Sequence, residues 1–331
     1  MRLLLATLAA ALALGACSPA PPTLLNVSYD PTREFYQEFN GAFVKYFKDA
    51  KGRDIRINMS HDGSGKQARA VIDGLQADVV TLALDVDVQA IAKKGLIAAD
   101  WKTRLPLGAS PYTSTIVFVV RKGNPKNIRD WADLARTDVA AIQPDPRTSG
   151  GARWNYLAMW AWADRAYAHD DAKIRAYVGA VYRQSPKLDT GGRASTLTFA
   201  ANKLGDVLVG WENDAFFALD QYKDQEYEIV YPSMSILAQP PVALVDQNVD
   251  RHKLRDVAEE YLRFLYSKDG QVIAARHFFR PAYPDQVNAG DMTRFKDIER
   301  VSVEQAFGGW EKAQAAHFAE GGTFDQIFQK K

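Results

Sequence analysis

The sequence predicts an α/β protein with two doubly wound domains, each built on a largely parallel sheet. The chain has 331 residues, more than one hydrophobic core usually holds and a suitable length for two domains. Short apolar runs alternate with amphipathic helical patterns, an order typical of parallel sheets covered by helices. Two long extended stretches, 112–121 and 229–246, interrupt this alternation, and we expect the chain to cross between the domains there.

The order of the predicted elements sets the domain boundaries. In the first domain we expect strands at 24–29, 53–59 and 77–84 and helices at 31–49, 67–75, 255–266 and 271–277. In the second domain we expect strands at 139–142 and 206–211 and helices at 152–168, 172–182 and 195–204. The first domain is therefore predicted to be discontinuous, comprising 24–110 and 240–331, and the second to comprise 111–239.

The overall charge restricts the possible partners. Hydrophobic residues make up 47% of the chain, charged residues 24%, and the formal net charge is +1. A nucleic-acid-binding protein usually has a basic excess, so we expect no nucleic-acid partner. A nearly neutral protein cannot attract an anion by net charge alone, so any bound anion needs a site shaped for it.

The N-terminus has the pattern of an export signal. Arg2 precedes an apolar run, 3–14, that is too short to span a bilayer and has the length of a signal-peptide core. The following Leu-Gly-Ala-Cys, 14–17, resembles a bacterial lipoprotein box. We therefore predict a signal peptide at 1–16, lipidation of Cys17 with membrane anchoring, and a tether at 17–23; a plain signal peptide is the alternative. Cys17 is the only cysteine, so neither a disulfide nor a cysteine-ligated metal is expected.

Four predicted helices begin at residues suited to holding an anion. A helix N-terminus leaves about four backbone N–H groups unpaired and carries roughly half a positive charge, so an anion can occupy it when no side chain intervenes. A glycine-rich turn before a helix is usually only a turn. Two of these helix starts, however, fall in each predicted domain, as expected for an anion site in a cleft between the domains. The starts are Asp30-Pro31, 60–66 with Gly63, Ser64 and Gly65, 148–153 with Ser149, Gly150 and Gly151, and 190–195 with Gly191 and Gly192.

Motifs for nucleotide binding, metal binding and catalysis are not found. The GSGK at 63–66 fails as a phosphate-binding loop, because Ser60 stands where glycine is required and Gln67 follows the lysine. The five histidines have no metal-binding spacing such as HExxH, and no Gly-x-Ser-x-Gly is present. We expect no enzyme activity, no metal and no cofactor.

Seven segments together resemble the periplasmic sulfate-binding proteins of bacterial sulfate and thiosulfate importers. They are NVSYDPTRE (26–34), SHDGSGKQA (60–68), ADVVTLAL (77–84), PYTSTIVFVVRKGNPK (111–126), RTSGGARWNYLAMW (147–160), VLVGWENDA (207–215) and GGTFDQI (321–327). The resemblance implies the class II periplasmic-binding-protein fold, in which two lobes close on a sulfate ion. It also implies a monomer in the periplasm that delivers sulfate to the membrane permease subunits of an ABC importer.

The resemblance also implies the ligand-binding residues. By the family pattern, backbone N–H groups would bind the anion at Asp30, Ser64, Gly150, Gly151 and Gly192, with the Ser149 hydroxyl and the Trp211 indole as further donors. A site made only of donors disfavours phosphate, which carries a proton that needs an acceptor. The chain departs from the pattern at Asp62, where the family usually has glycine. That carboxylate could weaken sulfate binding or offer phosphate an acceptor. Thiosulfate, molybdate or phosphate remain alternative ligands.

Overall fold

The computed structural model describes residues 20–328, which form two α/β lobes. The predicted signal peptide, 1–16, and the predicted lipidation site, Cys17, lie outside the described residues. Within 20–328 no helix combines the length and the apolar character needed to cross a membrane.

Within the described residues the chain forms thirteen short strands and fifteen α-helices, besides seven short 3₁₀ or π segments. The strands are β1 (Thr23–Tyr29), β2 (Arg56–Asp62), β3 (Val79–Thr81), β4 (Tyr112–Thr113), β5 (Ile116–Val120), β6 (Ala141–Pro144), β7 (Leu188–Asp189), β8 (Val207–Trp211), β9 (Glu228–Val230), β10 (Met234–Ile236), β11 (Val242–Leu244), β12 (Arg280–Pro281) and β13 (Glu299–Val301). The helices are α1 (Arg33–Lys51), α2 (Ser64–Ile72), α3 (Asp85–Ala92), α4 (Pro106–Ala109), α5 (Gly150–Ala166), α6 (Asp171–Gln184), α7 (Gly192–Thr196), α8 (Glu212–Gln221), α9 (Asp246–His252), α10 (Arg255–Phe264), α11 (Lys268–Arg276), α12 (Ala289–Met292), α13 (Val303–Phe307), α14 (Trp310–Ala313) and α15 (Thr323–Phe328).

The first lobe is built on a four-stranded sheet in the order β11-β3-β1-β2. β1 pairs in parallel with β2 and β3, and β11 returns antiparallel at the edge. Helix α1 covers this sheet because its aromatic residues recur three or four positions apart and share one buried face. These residues are Phe35, Tyr36, Phe39, Phe43 and Phe47.

The second lobe is built on a five-stranded sheet in the order β7-β6-β8-β5-β9. β6 pairs in parallel with β7 and β8, whereas β5 runs antiparallel to both of its neighbours. The helices α2, α5, α7 and α8 begin just after β2, β6, β7 and β8, respectively. Because these strands end at the facing edges of the two sheets, the helix starts meet in the cleft between the lobes.

The chain crosses between the lobes in two adjacent segments, near residues 114 and 238. The backbone of Ser114 exchanges two hydrogen bonds with that of Ala238, of 2.9 and 3.0 Å. Before this bridge β4 pairs with β12, and after it β5 enters the second sheet. The two crossings that the sequence predicted are therefore present, and they pair with each other.

The C-terminal segment lies on a different lobe from the one predicted. The sequence prediction assigned all of 240–331 to the first lobe, but β13 pairs with β10 and residues 303–328 pack against the second lobe. Trp310 makes an edge-to-face contact with Trp154, and Phe324 makes another with Tyr182. The segment follows residues of the first lobe in the chain. Burial of its large aromatic side chains against the second lobe nevertheless decides where it docks.

Candidate functional site

A cavity lies in the cleft where helix starts from both lobes converge. All seven residues that the sequence analysis selected line it: Asp30, Ser64, Ser149, Gly150, Gly151, Gly192 and Trp211. The space open to the centre of a water-sized sphere is only about 30 Å³, enough for one or two water molecules. The cavity therefore suits a small inorganic ion.

The first lobe contributes the end of β1 and the start of α2. Asp30 begins a 3₁₀ turn that leads into α1, and Pro31 fits the second position of this turn because the first turn of a helix needs no N–H donor there. Gly63 caps α2, and Ser64 is its first residue. A Cβ at position 63 would lie 3.0 Å from the carbonyl oxygen of Thr148 in the other lobe, so glycine allows the lobes to approach.

The second lobe contributes the starts of α5, α7 and α8. The Ser149 side chain caps α5 by accepting a hydrogen bond from the N–H of Ala152 at 3.3 Å. Since the hydroxyl acts there as an acceptor, its own hydrogen remains free to donate. Gly192 begins α7, and Trp211 ends β8 immediately before α8.

Five backbone N–H groups in the cavity wall have no protein partner. Within 20–328, none of these groups donates a hydrogen bond to another protein atom, because each lies at a strand end or in the first turn of a helix. An oxyanion bound among them would accept hydrogen bonds from both lobes and hold the lobes together. The five residues are Asp30, Ser64, Gly150, Gly151 and Gly192.

The indole of Trp211 has a different partner from the one expected. Its Nε1 donates to the carbonyl oxygen of Gly151 at 3.2 Å, whereas the family resemblance implied donation to the anion. Gly151 itself carries one of the five unpaired N–H groups, so the indole N–H lies beside the donors of the cavity. Tyr29 and Trp154 both pack against this indole and restrict its movement.

Similarity to known proteins agrees with this arrangement. The profile of a family described as bacterial extracellular solute-binding protein matches residues 26–280. The chain belongs to this family. It is 51% identical over 307 residues to a sulfate-binding protein of Salmonella typhimurium, covering 93% of each chain.

Two further relatives are named for different ligands, thiosulfate and sulfate. A thiosulfate-binding protein of Pseudomonas aeruginosa is 48% identical over 322 residues, which cover 97% of this chain and 96% of that protein. The structure of the sulfate-binding protein SubI from Mycobacterium tuberculosis superposes with a TM-score of 0.77 at 29% identity, covering 90% of this chain and 99% of that one. The family resemblance and the two-lobed α/β fold that the sequence predicted are therefore confirmed.

In this solute-binding protein a hydrogen bond to a carboxylate, which the sequence analysis did not select, holds the side chain of Ser64 in place. The Ser64 hydroxyl donates to Asp87 at 2.5 Å and accepts from the N–H of Ala83 at 3.0 Å. Burial raises the pKa of Asp87, while the Ser64 hydrogen bond and the charge of Arg153 act to lower it. The hydrogen of the Ser64 hydroxyl is thus already donated to Asp87, and the backbone N–H of Ser64 is the donor that remains for the cavity.

Asp62, the departure from the family pattern, does not line the cavity. Its carboxylate pairs with Lys66 and accepts the N–H of Gly63 at 2.8 Å, and its side chain is 43% exposed. Burial acts to raise its pKa, but the Lys66 ammonium and the Gly63 N–H outweigh burial and hold the pKa below the usual value. This geometry gives Asp62 no role as an acceptor for phosphate.

Arg193 also has a partner outside the cavity. Its guanidinium pairs with Glu34 of the first lobe at 2.9 Å and lies 3.7 Å from the centre of the Phe217 ring. Because Glu34 is in α1 and Arg193 is in α7, the pair links the two lobes beside the cavity.

The cavity wall of this solute-binding protein also contains a carboxylate, Asp214 of α8. The residue is 7% exposed, and burial raises the pKa of its carboxyl to about 6, with Arg193 opposing and Glu34 and Asp30 adding to the shift. Two further buried atoms of the wall, Oδ1 of Asn155 and Oγ of Ser195, have no hydrogen-bond partner in the described residues. Sequence reasoning missed all three, since no motif distinguishes them.

Proposed function

We propose that this protein binds sulfate in the interlobe cavity and delivers it to the membrane permease of an ABC importer. The observation that carries this proposal is the convergence of five unpaired backbone N–H groups, from both lobes, on one small cavity. The Ser149 hydroxyl and the Trp211 indole, which lies beside these groups, bring the proposed donors to seven. The sulfate-binding names of relatives about half identical to this chain support the choice of anion.

Seven donors are sufficient for tight binding. Each hydrogen bond to a charged group contributes about 1.5–3 kcal/mol net, and the helix starts add their favourable fields. Micromolar affinity requires only about −8 kcal/mol, so the donors can offset both the dehydration of sulfate and the cost of closing the lobes. The protein releases its anion chemically unchanged, as a receptor does.

Competition among oxyanions tests the proposal. We expect isothermal titration of the purified protein, stripped of bound anion, to give a micromolar or lower Kd for sulfate and a quench or enhancement of tryptophan fluorescence on closure. Thiosulfate is included because two relatives carry that name, and molybdate and phosphate because they share the tetrahedral shape. No sulfate binding below millimolar concentration, or tighter binding of phosphate than of sulfate, would contradict the proposal.

We also propose that the protein works as a monomer attached to the membrane through lipidated Cys17. The lone cysteine in a lipoprotein-like box supports this attachment. Detergent partitioning of the full chain and of Cys17→Ser tests it: the unaltered protein should enter the detergent phase and the variant the aqueous phase. Equal partitioning would leave a plain signal peptide as the explanation, and sedimentation measures whether one copy suffices.

A further inference from the structure

One residue, Asp145, organises the loop between β6 and α5. Its carbonyl oxygen accepts the N–H groups of Thr148 at 3.1 Å and of Ser149 at 2.9 Å. Its carboxylate accepts the N–H of Arg147 at 2.9 Å, which is the local turn that an aspartate forms with the backbone two residues later. Because Gly150 follows directly, the shape of this loop decides where the donors at the start of α5 point.

The same loop is joined to the second donor-bearing loop of its lobe. The N–H of Asp145 donates to the carbonyl oxygen of Asp189 at 2.8 Å, and the hydroxyl of Thr148 donates to the carbonyl oxygen of Thr190 at 3.2 Å. Asp189 ends β7, three residues before the start of α7. The two loops are therefore held together. Between them they carry four of the seven proposed donors: Ser149, Gly150, Gly151 and Gly192.

The guanidinium of Arg147 connects this pair of loops to the C-terminal helix α15. It makes three hydrogen bonds to the carboxylate of Asp145, of 2.6, 3.0 and 3.1 Å, and the side chain of Asp145 is only 14% exposed. The same guanidinium lies 5.1 Å from the centre of the Phe328 ring and 5.8 Å from that of Phe324, within the range of a cation–π contact. Because Phe324 is buried in the core of the second lobe, the core holds the loop through Arg147.

We propose, given the sulfate-binding function proposed above, that the pair Asp145 and Arg147, held by α15, positions the two donor-bearing loops and so sets the affinity for the anion. Neither residue lines the interlobe cavity, so both act through the loops and are positioning residues. A backbone donor cannot adjust by rotating a side chain. Loops that already have the binding conformation lose less entropy when the anion binds, which increases affinity.

The signs of the two charges separate positioning from electrostatics. A carboxylate near the cavity repels a bound anion and a guanidinium attracts it. Charge alone therefore predicts that binding becomes tighter when Asp145 is removed and weaker when Arg147 is removed. Positioning predicts weaker binding in both variants. Because each residue acts through the other, the two losses of affinity should not add.

Isothermal titration of the full chain, stripped of bound anion, with sulfate tests these signs. We expect Asp145→Ala and Arg147→Met each to raise the Kd about tenfold, and the double variant to raise it by well below a hundredfold. Asp145→Asn keeps an oxygen for the N–H of Arg147 and should retain most of the affinity. Unchanged or tighter binding by Asp145→Ala, or losses that add in the double variant, would overturn the inference. Failure of the unaltered protein to bind sulfate would instead refute the proposed function.

Arg175→Met is the matched control for Arg147→Met. Arg175 also contacts α15, through Gln326 at 3.0 Å and Thr323 at 3.4 Å, but none of its hydrogen bonds within 20–328 reaches the loop 145–149. Both variants should lose a similar small amount of stability in urea, whereas only Arg147→Met should weaken sulfate binding. Equal Kd values for the two variants would overturn the inference.

Amide hydrogen exchange of the anion-free protein measures the position of the loop without the ligand. The N–H groups of Thr148 and Ser149 are protected by the carbonyl oxygen of Asp145, and they should exchange faster in Asp145→Ala than in the unaltered protein. Arg175→Met should leave both rates unchanged. Normal protection of Ser149 in an Asp145→Ala variant that binds sulfate weakly would show that the carboxylate does not act through the loop, and would overturn the inference.

Discussion

The indole Nε1 of Trp154 donates a 2.9 Å hydrogen bond across the cleft to the carbonyl oxygen of Ala83. Trp154 belongs to α5 of the second lobe, and Ala83 follows β3 of the first. The N–H of Ala83 in turn donates to the hydroxyl of Ser64 at the start of α2. A single residue of the first lobe therefore links interlobe closure to the position of a proposed anion donor.

Replacing Trp154 by phenylalanine should weaken sulfate binding by about fivefold, because one neutral hydrogen bond, about 1 kcal/mol, is lost from the closed form. Isothermal titration measures the change. Trp162→Phe is the matched control, since Trp162 lies in the same helix but packs against Tyr167 and Tyr177 away from the cleft. Equal Kd values for the two variants would show that the bond to Ala83 does not support closure.

Gly150 is expected to tolerate no side chain when the lobes are closed. An added Cβ would lie 3.0 Å from Cβ of Ser64 and 3.3 Å from side-chain atoms of Ala83 and Leu84, all in the opposite lobe. Overpacking of this kind costs about 1–3 kcal/mol, so Gly150→Ala should raise the Kd for sulfate by about ten- to hundredfold. The melting temperature of the anion-free protein should change little, because its lobes can separate.

Gly41→Ala provides the matched control for this substitution. Gly41 lies in α1, and an added Cβ there meets nothing within 4 Å. We expect Gly41→Ala to leave the Kd unchanged and to stabilise the fold by about 0.5–1 kcal/mol, because alanine loses less backbone entropy in a helix. If Gly150→Ala binds sulfate as tightly as Gly41→Ala, steric exclusion at the cleft is not required for binding.

The Ser149 hydroxyl can be tested separately from its capping role. Ser149→Ala removes both a helix cap, worth about 1 kcal/mol, and a donor to a charged ligand, worth about 1.5–3 kcal/mol. Ser267→Ala removes a cap, since Ser267 accepts the N–H of Gly270 at the start of α11, and a hydrogen bond to the carbonyl oxygen of Phe264, but no residue of the cavity wall. Both variants should lose similar stability in urea, whereas only Ser149→Ala should weaken sulfate binding, by about ten- to hundredfold. Matching losses of affinity would assign Ser149 a purely structural role.

The sequence predicted the backbone part of the candidate site because that part is encoded locally. A glycine or capping residue before an amphipathic run marks a helix start, and the starts at Ser64, Gly150 and Gly192 lie within three residues of the predicted ones. Their convergence followed from the expectation that parallel strands end at a common edge. The whole set of seven residues therefore lines one cavity.

The charged part of the site could not be predicted in this way. Asp87 reaches Ser64 across 23 positions of sequence, and Asp214 reaches Gly192 across 22. Such contacts depend on how α3 and α8 pack, and neither helix was predicted. The docking of residues 303–328 on the second lobe was missed for a similar reason, since an aromatic-rich helix can cover either sheet and periodicity does not say which.

A buried ion pair next to Trp211 gives the clearest prediction for stability. Arg280 of β12 makes two hydrogen bonds, of 2.6 and 2.8 Å, to Glu212, the fully buried first residue of α8. Within residues 20–328, Arg280→Met would leave that carboxylate with the hydroxyl of Tyr231 as its only hydrogen-bond partner. Removing one member of a buried pair costs about 3–5 kcal/mol, which urea denaturation at pH 7 would measure.

A double variant separates a charge effect from lost packing. Arg280→Met combined with Glu212→Gln removes both charges of the pair, so it should regain part of the stability that Arg280→Met alone loses. Arg276→Met, which breaks an ion pair with Glu38 whose arginine side chain is 57% exposed, should cost at most about 1 kcal/mol. A loss in the double variant equal to that in Arg280→Met would instead indicate that the arginine stabilises α8, and the Trp211 that precedes it, through packing alone.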